Sequence, residues 1–198
     1  KFRYILFLGT ALEFDEFKII SKIDTILEKK PFFGKIKLIY RPHPWRMSKK
    51  IINFKKYKNT LLDPQISKNF YKKKMDLGFQ PNLNYYPNLI KNSEFVIGGL
   101  TSMMIESLIM YKKYLITALP ERKFNNEFNS LNYHTHFKEL KTLKNIKICT
   151  SLNDLENKIL HMWKNKIDKY KSETDKDRNY FVFNDSLNYD ERLKNIVK

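Results

Sequence analysis

The chain has 198 residues, of which 42% are hydrophobic and 15% aromatic, and this composition excludes a disordered protein and indicates one globular domain. Its formal net charge is +17, but the basic residues are mostly scattered lysines, which argues against a dedicated nucleic-acid surface. The single cysteine, Cys149, excludes an internal disulfide and fits a reducing compartment, and no stretch approaches the roughly 20 apolar residues that span a membrane.

The first forty residues predict a β-α-β unit. Arg3–Leu8 carries an apolar run that ends at Gly9, which is typical of a strand covered on both faces in a parallel sheet. Asp15–Lys30 has apolar residues at the three-and-four spacing of a helix, and Lys35–Tyr40 gives the second strand. Two strands joined through a helix in this way require a right-handed parallel crossover.

A polar segment, Arg41-Pro42-His43-Pro44-Trp45-Arg46, follows the second strand, at the edge of an open α/β sheet where ligands collect. Its two prolines favour an extended backbone and present His43 on a stiff loop. A histidine can donate to a phosphate oxygen, and an arginine can bind one through paired N–H groups. The segment therefore predicts a phosphate site at Arg41 and His43. The alternative is a histidine that makes a structural hydrogen bond at a strand end.

A second ligand signal lies in Ser93–Met110, which reads as a short buried strand at Glu94–Ile97, a turn and an apolar helix. The turn contains four small residues: Gly98, Gly99, Thr101 and Ser102. The first N–H groups of a helix lack partners within the helix and attract anions, so this turn predicts a phosphate site. The alternative is that Thr101 or Ser102 merely caps the helix.

The helix after this turn is apolar over most of its surface, so we expect it to be buried. Glu106 lies one turn inside it, on the same face as Ser102, and a buried carboxylate needs a partner. The hydroxyls of a ribose and the ammonium group of a lysine are equally suitable partners. Tyr85 and Tyr86, earlier in the chain, could stack on a base, although aromatics beside a helix start more often belong to the core or rim.

The remaining pattern alternates strands and helices. Strands are predicted at Asn59–Leu62, Lys113–Leu119 and Asn145–Cys149, and helices at Ile66–Met75, Ser151–Lys166 and Tyr189–Val197. His134 and His136 have a spacing that could chelate a metal from a strand, but no third ligand is in view, so we expect a loop or edge strand and no metal. The alternation predicts an α/β fold with a Rossmann-like parallel sheet flanked by helices.

Two motifs together carry a family resemblance: Arg41-Pro42-His43-Pro44 after one strand, and Gly98–Ser102 with Glu106 after a later one. The pair resembles the carboxyl-terminal, nucleotide-binding half of bacterial surface-polysaccharide glycosyltransferases with two Rossmann-like domains, the GT-B type. Sialyltransferases, Kdo transferases of capsule synthesis and polyglycerophosphate transferases are the similar groups. By this resemblance, His43 and Pro44 match a His-Pro motif, and Thr101 and Ser102 match a Ser-Ser or Ser-Thr motif in reversed order of hydroxyl types.

The resemblance implies that residues 1–198 form a single nucleotide-donor-binding domain and that an amino-terminal acceptor domain, with the acidic general base, lies before Lys1. It implies transfer of a sugar or polyol phosphate from a CMP-, CDP- or UDP-linked donor to a cell-surface glycan such as capsule or lipopolysaccharide. His43 is the catalytic candidate. The donor-binding candidates are Arg41, His43, Pro44, Gly98, Gly99, Thr101, Ser102 and Glu106. No cofactor is expected, and the isolated domain is expected to be inactive.

We expect a cytoplasmic protein, and its basic charge favours a peripheral contact with anionic lipid at the inner face of the membrane. Two alternatives remain open from the sequence. The first is an enzyme that resembles the non-hydrolysing UDP-N-acetylglucosamine 2-epimerases, which share the two-domain fold. The second is a non-catalytic basic module that binds nucleic acid or membrane. The abundance of lysine favours this alternative, and the two strand-end motifs do not.

Overall fold

A computed structural model of the protein describes residues 2–11, 15–43, 54–71, 84–120, 127–133, 137, 139–165 and 172–181. Within these residues, six parallel strands form one sheet in the order β3-β2-β1-β4-β5-β6. The strands are β1 Tyr4–Leu8, β2 Lys37–Arg41, β3 Thr60–Leu62, β4 Val96–Gly98, β5 Tyr114–Thr117 and β6 Ile146–Cys149. This is the doubly wound order of Rossmann folds, and the α/β expectation is confirmed.

Helices connect the strands and cover both faces of the sheet. The α-helices are α1 Glu16–Lys29, α2 Pro64–Tyr71, α3 Tyr86–Asn92, α4 Met103–Ile109, α5 Glu127–Tyr133, α6 Leu155–Lys164 and α7 Ser172–Asn179. Short 3-10 turns lie at Pro31–Phe33, Phe54–Lys56 and Glu139–Thr142. None of the helices in the described part of the chain is long and apolar enough to cross a membrane.

The continuous apolar run of β1 explains why the sheet is covered twice. Ile5 and Phe7 face a core formed with α1 and α6, whereas Leu6 and Leu8 face a second core formed with α3 and α4. All four side chains are at most 1% exposed, because successive residues of a strand point to opposite faces. Burial on both sides excludes the alternating polar pattern of a half-exposed strand.

Helix α1 is held by a cap at its start and by a buried carboxylate within its apolar stripe. Asp15 caps it, accepting a hydrogen bond from Lys18 N at 3.1 Å. Asp24 interrupts the buried stripe and is only 8% exposed, but its carboxylate accepts from Asn59 N and from the Thr60 hydroxyl, both at 2.8 Å. These bonds tie α1 to the start of β3 and satisfy the buried charge.

Several element boundaries differ from the sequence expectations. Helix α6 begins at Leu155 rather than after Ser151, because the Ser151 hydroxyl accepts from Asn153 N in a turn that precedes the helix. Helix α4 is buried along one face only: Met104 is 4% exposed and Ile109 39%. The predicted helix at Tyr189–Val197 and the histidines at 134 and 136 lie outside the described residues.

Candidate functional site

A cavity of about 250 Å³ opens at the carboxyl edge of the sheet. It lies where β1 and β4 are neighbours, which is the point where the strand order reverses and where doubly wound sheets bind their ligands. Its walls are formed by Leu8, Gly9, Arg41, Pro42, His43, Ile66, Tyr86, Thr101, Ser102 and Met103. The structure therefore brings the segment after β2 and the turn after β4 to one cavity, as the sequence predicted.

Gly9 forms the floor where the loops after β1 and β2 meet. Gly9 N donates to Arg41 O at 2.8 Å, and a Cβ atom at this position would lie only 2.8 Å from His43 N. It would also lie 3.1 Å from both carboxylate oxygens of Glu16. Only glycine fits this close backbone approach. Sequence reasoning missed Gly9 as a site residue and used it only to end a strand.

The Glu16 carboxylate lies beside Gly9 and bonds to residues on both sides of it. Its carboxylate is 2% exposed and accepts from Thr10 N at 3.0 Å and from the Tyr40 hydroxyl. Thr10 belongs to the loop after β1, and Tyr40 lies in β2, one residue before Arg41. This buried carboxylate therefore holds together the two loops that form the cavity floor. Because its partners lie far apart in sequence, this role could not be predicted from the sequence.

Arg41 lines the cavity, but its guanidinium is held from inside the protein. It forms an ion pair with Asp63 in which the two side chains are 8% and 0% exposed, and both terminal nitrogens lie 3.3 Å from Gln65 Oε1. Asp63 Oδ1 also accepts from the Tyr85 hydroxyl at 2.8 Å. The charge of Arg41 is thus matched by Asp63, which supports a positioning role, and its contact with phosphate stays a prediction.

Tyr86 connects the two sides of the cavity wall. The Arg41 guanidinium carbon lies 5.9 Å from the centre of the Tyr86 ring, and the interaction with Glu106 is the main cause that raises the pKa of Tyr86. Glu106 therefore has a tyrosine partner that neither sequence alternative, ribose nor lysine, had named. Glu106 is not among the described residues that line the cavity, so its contact with a ribose also stays a prediction.

Thr101 and Ser102 present hydroxyls at the cavity without forming a strong helix cap. Thr101 Oγ1 lies 3.5 Å from Met103 N, at the long limit of a hydrogen bond. Ser102 occupies the N-cap position with φ −55° and ψ −26°, a helical conformation, and its side chain forms no capping bond. The capping alternative is therefore not supported for Ser102. Because α4 has only seven residues, the hydroxyls matter more here than the helix dipole.

Gly98 is explained by packing behind the cavity, and the carbonyl of Gly99 takes part in the same contacts. A Cβ atom on Gly98 would lie 2.3 Å from the Tyr114 hydroxyl oxygen and 2.7 Å from Leu8 O. Tyr114 donates to Gly99 O at 2.9 Å, and the Thr117 hydroxyl donates to Gly98 O at 3.2 Å. Neither glycine is among the described lining residues, so their contact with phosphate stays a prediction.

Pro44 lies outside the described residues, as do Trp45 and Arg46. His43 is described and half-buried, and its backbone is placed by the contact with Gly9. Within the part of the chain that the structure describes, no three His, Cys, Asp or Glu side chains group closely enough to hold a metal ion.

Titration of Tyr86 tests its bond to Glu106. The hydrogen bond to Glu106, followed by burial, raises the pKa of Tyr86 from 10.0 to about 12. We expect Glu106→Gln to lower this pKa towards 10, because the amide no longer repels the phenolate. Phenolate absorbance, measured as the difference from Tyr86→Phe in each background, isolates Tyr86 from the other tyrosines. An unchanged pKa in Glu106→Gln would rule out the bond.

The raised pKa of Tyr86 also makes the stability of the fold depend on pH. Because the pKa of Tyr86 is raised in the folded state, the stability it contributes is fully present below pH 10. That contribution is lost as the pH rises from 10 to about 12. We expect Glu106→Gln to remove the share of this loss that comes from Glu106 and to keep the share that comes from burial.

No protein-family profile matches the chain, and no curated protein matches it either. Solved structures do show a similar fold. The glycotransferase of kitacinnamycin matches with a TM-score of 0.55 and 6% identity, over 90% of this chain and 38% of that protein. The UDP-GlcNAc 2-epimerase of Methanocaldococcus jannaschii, determined with UDP-GlcNAc and UDP, matches with a TM-score of 0.53 and 15% identity. That match covers 98% of this chain and 44% of the epimerase.

The chain thus spans less than half the length of either protein. At these identities the likeness concerns the fold alone, a Rossmann-like parallel sheet flanked by helices.

Proposed function

We propose that the chain is the donor-binding half of a GT-B glycosyltransferase and that the cavity at its carboxyl edge receives the ribose and phosphate of a nucleotide-activated sugar. The observation that carries the proposal is the meeting of His43, Thr101 and Ser102 in one cavity at the reversal point of the sheet. These three side chains come from segments nearly sixty residues apart, and each can donate a hydrogen bond to a phosphate oxygen.

The size of the cavity supports part of a nucleotide sugar rather than the whole. Pockets for complete drug-sized ligands have volumes of about 300–1,000 Å³. The described cavity has about 250 Å³, which suits a ribose phosphate. Leu8, Ile66 and Met103 supply the apolar part of its wall, and Tyr86 adds an aromatic ring. The base and sugar of the donor would extend beyond these residues.

The chemistry proposed for the cavity is stabilisation of the leaving nucleotide. Transfer of the sugar breaks its bond to the donor phosphate and leaves negative charge on that phosphate. The His43 imidazole and the hydroxyls of Thr101 and Ser102 would bind the phosphate as this charge develops. In the proposal, the general base and the acceptor site belong to a separate amino-terminal domain, which agrees with the short span of the chain against its neighbours.

The proposal extends to the acceptor and to the place where the protein acts. The motif pair resembles enzymes that build surface polysaccharide, so we expect the acceptor to be a cell-surface glycan and the transfer to take place at the inner face of the membrane. A CMP- or CDP-linked donor fits that resemblance, and a UDP-linked donor fits the epimerase neighbour, whose structure contains UDP and UDP-GlcNAc.

The epimerase neighbour favours a second candidate function. An enzyme of that kind would bind the same part of a UDP-sugar at the same strand ends but would need no glycan acceptor. A product assay on the full-length protein with UDP-GlcNAc separates the two candidates, because only the epimerase releases the epimeric sugar without an acceptor.

Both candidate functions require the cavity to bind a nucleotide. Calorimetry with CMP, CDP, UDP and UDP-GlcNAc tests this binding, with AMP as the control nucleotide. We expect saturable one-site binding of at least one pyrimidine nucleotide and weaker binding of AMP. A folded sample that binds none of the four would overturn the donor-site proposal. Salt-sensitive binding to nucleic acid or anionic vesicles that Ser102→Ala leaves unchanged would instead support the non-catalytic module.

A further inference from the structure

A second cavity, of about 350 Å³, lies on the opposite edge of the sheet, at the amino ends of β4 and β5. Its walls come from the end of α3, the connection between α4 and β5, and the end of α6. The charged groups on these walls are Lys91, Lys112, Lys113 and Glu94. Since β4 separates the two cavities along its length, a ligand here would not share the site that contains His43.

Two of the three lysines of this cavity are held by bonds to helix ends. Lys112 Nζ donates to Ser93 O at 2.5 Å, and Lys113 Nζ donates to Asn165 O. Ser93 and Asn165 are the C-cap residues of α3 and α6, where helix carbonyls carry partial negative charge. An ammonium group has three N–H donors, so one bond to a carbonyl places Lys113 and leaves it able to meet an anion.

The described lining carries three lysines and one carboxylate, so its positive charge exceeds its negative charge. Glu94 is the carboxylate among the described lining residues, and it forms an ion pair with Arg3 at 2.5 Å. The Arg3 guanidinium also lies 4.6 Å from the centre of the Trp163 ring, another lining residue. Glu94 thus has a cation outside the lysine group as one partner, and Lys91 and Lys113 form no ion pair among the described residues.

Further cations surround the cavity from β6 and α6. Burial first, and Lys147 second, lower the pKa of Lys113. Burial also lowers the pKa of His161, followed by the charges of Lys147, Lys113 and Lys158. Of these cations, Lys158 has an acidic partner, Asp154, at 3.4 Å. The edge therefore carries a positive potential that a bound anion would relieve.

We propose that this amino-edge cavity is a second ligand site, which binds a phosphate-bearing molecule through Lys91, Lys112 and Lys113. Its volume exceeds that of a phosphate group alone and suits a small phosphorylated molecule or a phospholipid headgroup. Lysine binds phosphate as a point charge, and the Asn92 amide and the Trp163 ring add contacts for the group attached to it. The inference is independent of the nucleotide proposal, because it uses none of the same residues.

His161 supplies a direct reporter of occupancy. A phosphate in the cavity would offset the charges of Lys113 and Lys147, and the pKa of His161 would rise. We expect an NMR pH titration of the His161 ring to show this rise as inorganic pyrophosphate is added to the intact protein, with saturation at one site. His43→Ala is expected to leave the effect unchanged.

Lys91 provides the variant that tests the site, because its side chain is exposed and its replacement does not remove a helix-end bond. We expect Lys91→Ala to weaken pyrophosphate binding about 10-fold, the lower end of the loss expected for one hydrogen bond to a charged group, and Lys91→Glu to abolish it. Lys55→Ala, which removes an exposed lysine elsewhere, is the control and should match the unaltered protein. Equal affinities in Lys91→Ala and Lys55→Ala, or no saturable change at His161, would overturn the proposal.

Sedimentation with phosphatidylglycerol vesicles identifies the source of the phosphate. Vesicle binding that pyrophosphate displaces, and that Lys91→Glu abolishes, assigns the cavity to a lipid headgroup. Pyrophosphate binding without vesicle binding assigns it to a free phosphorylated molecule. Vesicle binding that survives Lys91→Glu, with no pyrophosphate effect at His161, would show that the general basic surface acts instead and would contradict the cavity.

Discussion

Replacing His43 with alanine is expected to weaken nucleotide binding by about 10- to 150-fold. A hydrogen bond to a charged group contributes about 1.5–3 kcal/mol, and each 1.4 kcal/mol is a tenfold change in affinity. His43 lies in a loop after β2 and is half-buried, so we expect the fold to survive its loss. Calorimetry with the tightest-binding nucleotide, together with a urea midpoint for each variant, measures both quantities.

His161→Ala is the matched control for this change. It also removes an imidazole, but from the exposed side of α6 near the opposite edge of the sheet. We expect it to leave nucleotide affinity unchanged. Ser102→Ala, which alters the other segment that lines the cavity, should weaken binding in the same direction as His43→Ala. If His43→Ala and His161→Ala bind the nucleotide equally well, His43 does not contact the phosphate.

The largest expected loss of stability comes from breaking the pair between Arg41 and Asp63. We expect Asp63→Asn to lower the free energy of unfolding by about 3–5 kcal/mol, because it leaves the guanidinium of Arg41 buried without its charge partner. The side chains are 8% and 0% exposed, so water cannot replace the lost partner. Urea denaturation followed by circular dichroism measures the change.

Glu28→Gln is the control for the Asp63 variant. It also exchanges a carboxylate for its amide, and it breaks the exposed pair between Glu28 and Lys58, whose side chains are 44% and 71% exposed. Exposed pairs add little to stability, so we expect an almost unchanged urea midpoint. A similar small effect for Asp63→Asn would show that Arg41 finds another partner or reaches solvent, and it would free Arg41 for the phosphate role that its sequence position suggested.

The sheet could be predicted because its signals are local. The apolar run before Gly9 shows a strand buried on both faces, and the stripe of α1 shows a covering helix. Their alternation implies parallel crossovers and hence a shared edge for the strand ends. That logic predicts that His43 and Thr101 lie close together, and the structure confirms that they line one cavity.

The partners of the charged site residues could not be predicted, because they are set by contacts distant in sequence. Nothing near Arg41 points to Asp63, 22 residues later, and nothing near Glu106 points to Tyr86. Gly98 is required by the hydroxyl of Tyr114 on the neighbouring strand, a packing reason that imitates a phosphate-loop glycine in sequence. Sequence patterns therefore predict where the cavity lies, but they do not predict which of its polar groups already have partners within the protein.

Helix α7 is a whole element that could not be predicted from the sequence. Ser172–Asn179 is strongly polar and has no apolar stripe, so its sequence carries little helical signal. The described residues anchor it through Asp177, which is 4% exposed and accepts from Asn145 N at 2.6 Å and Lys144 N at 3.2 Å. These bonds fasten α7 to the start of β6, and they appear only once the chain is folded.

Mapping of amide chemical shifts during titration with the tightest-binding nucleotide tests the central claim most directly. We predict that the signals of Gly9, His43, Thr101 and Ser102 shift together with one dissociation constant, because these residues line the proposed phosphate site. Any response of the amides around Lys91 and Lys113, at the other edge, should follow a separate and weaker dissociation constant. Shifts confined to that other edge, or none at saturating nucleotide, would contradict the account.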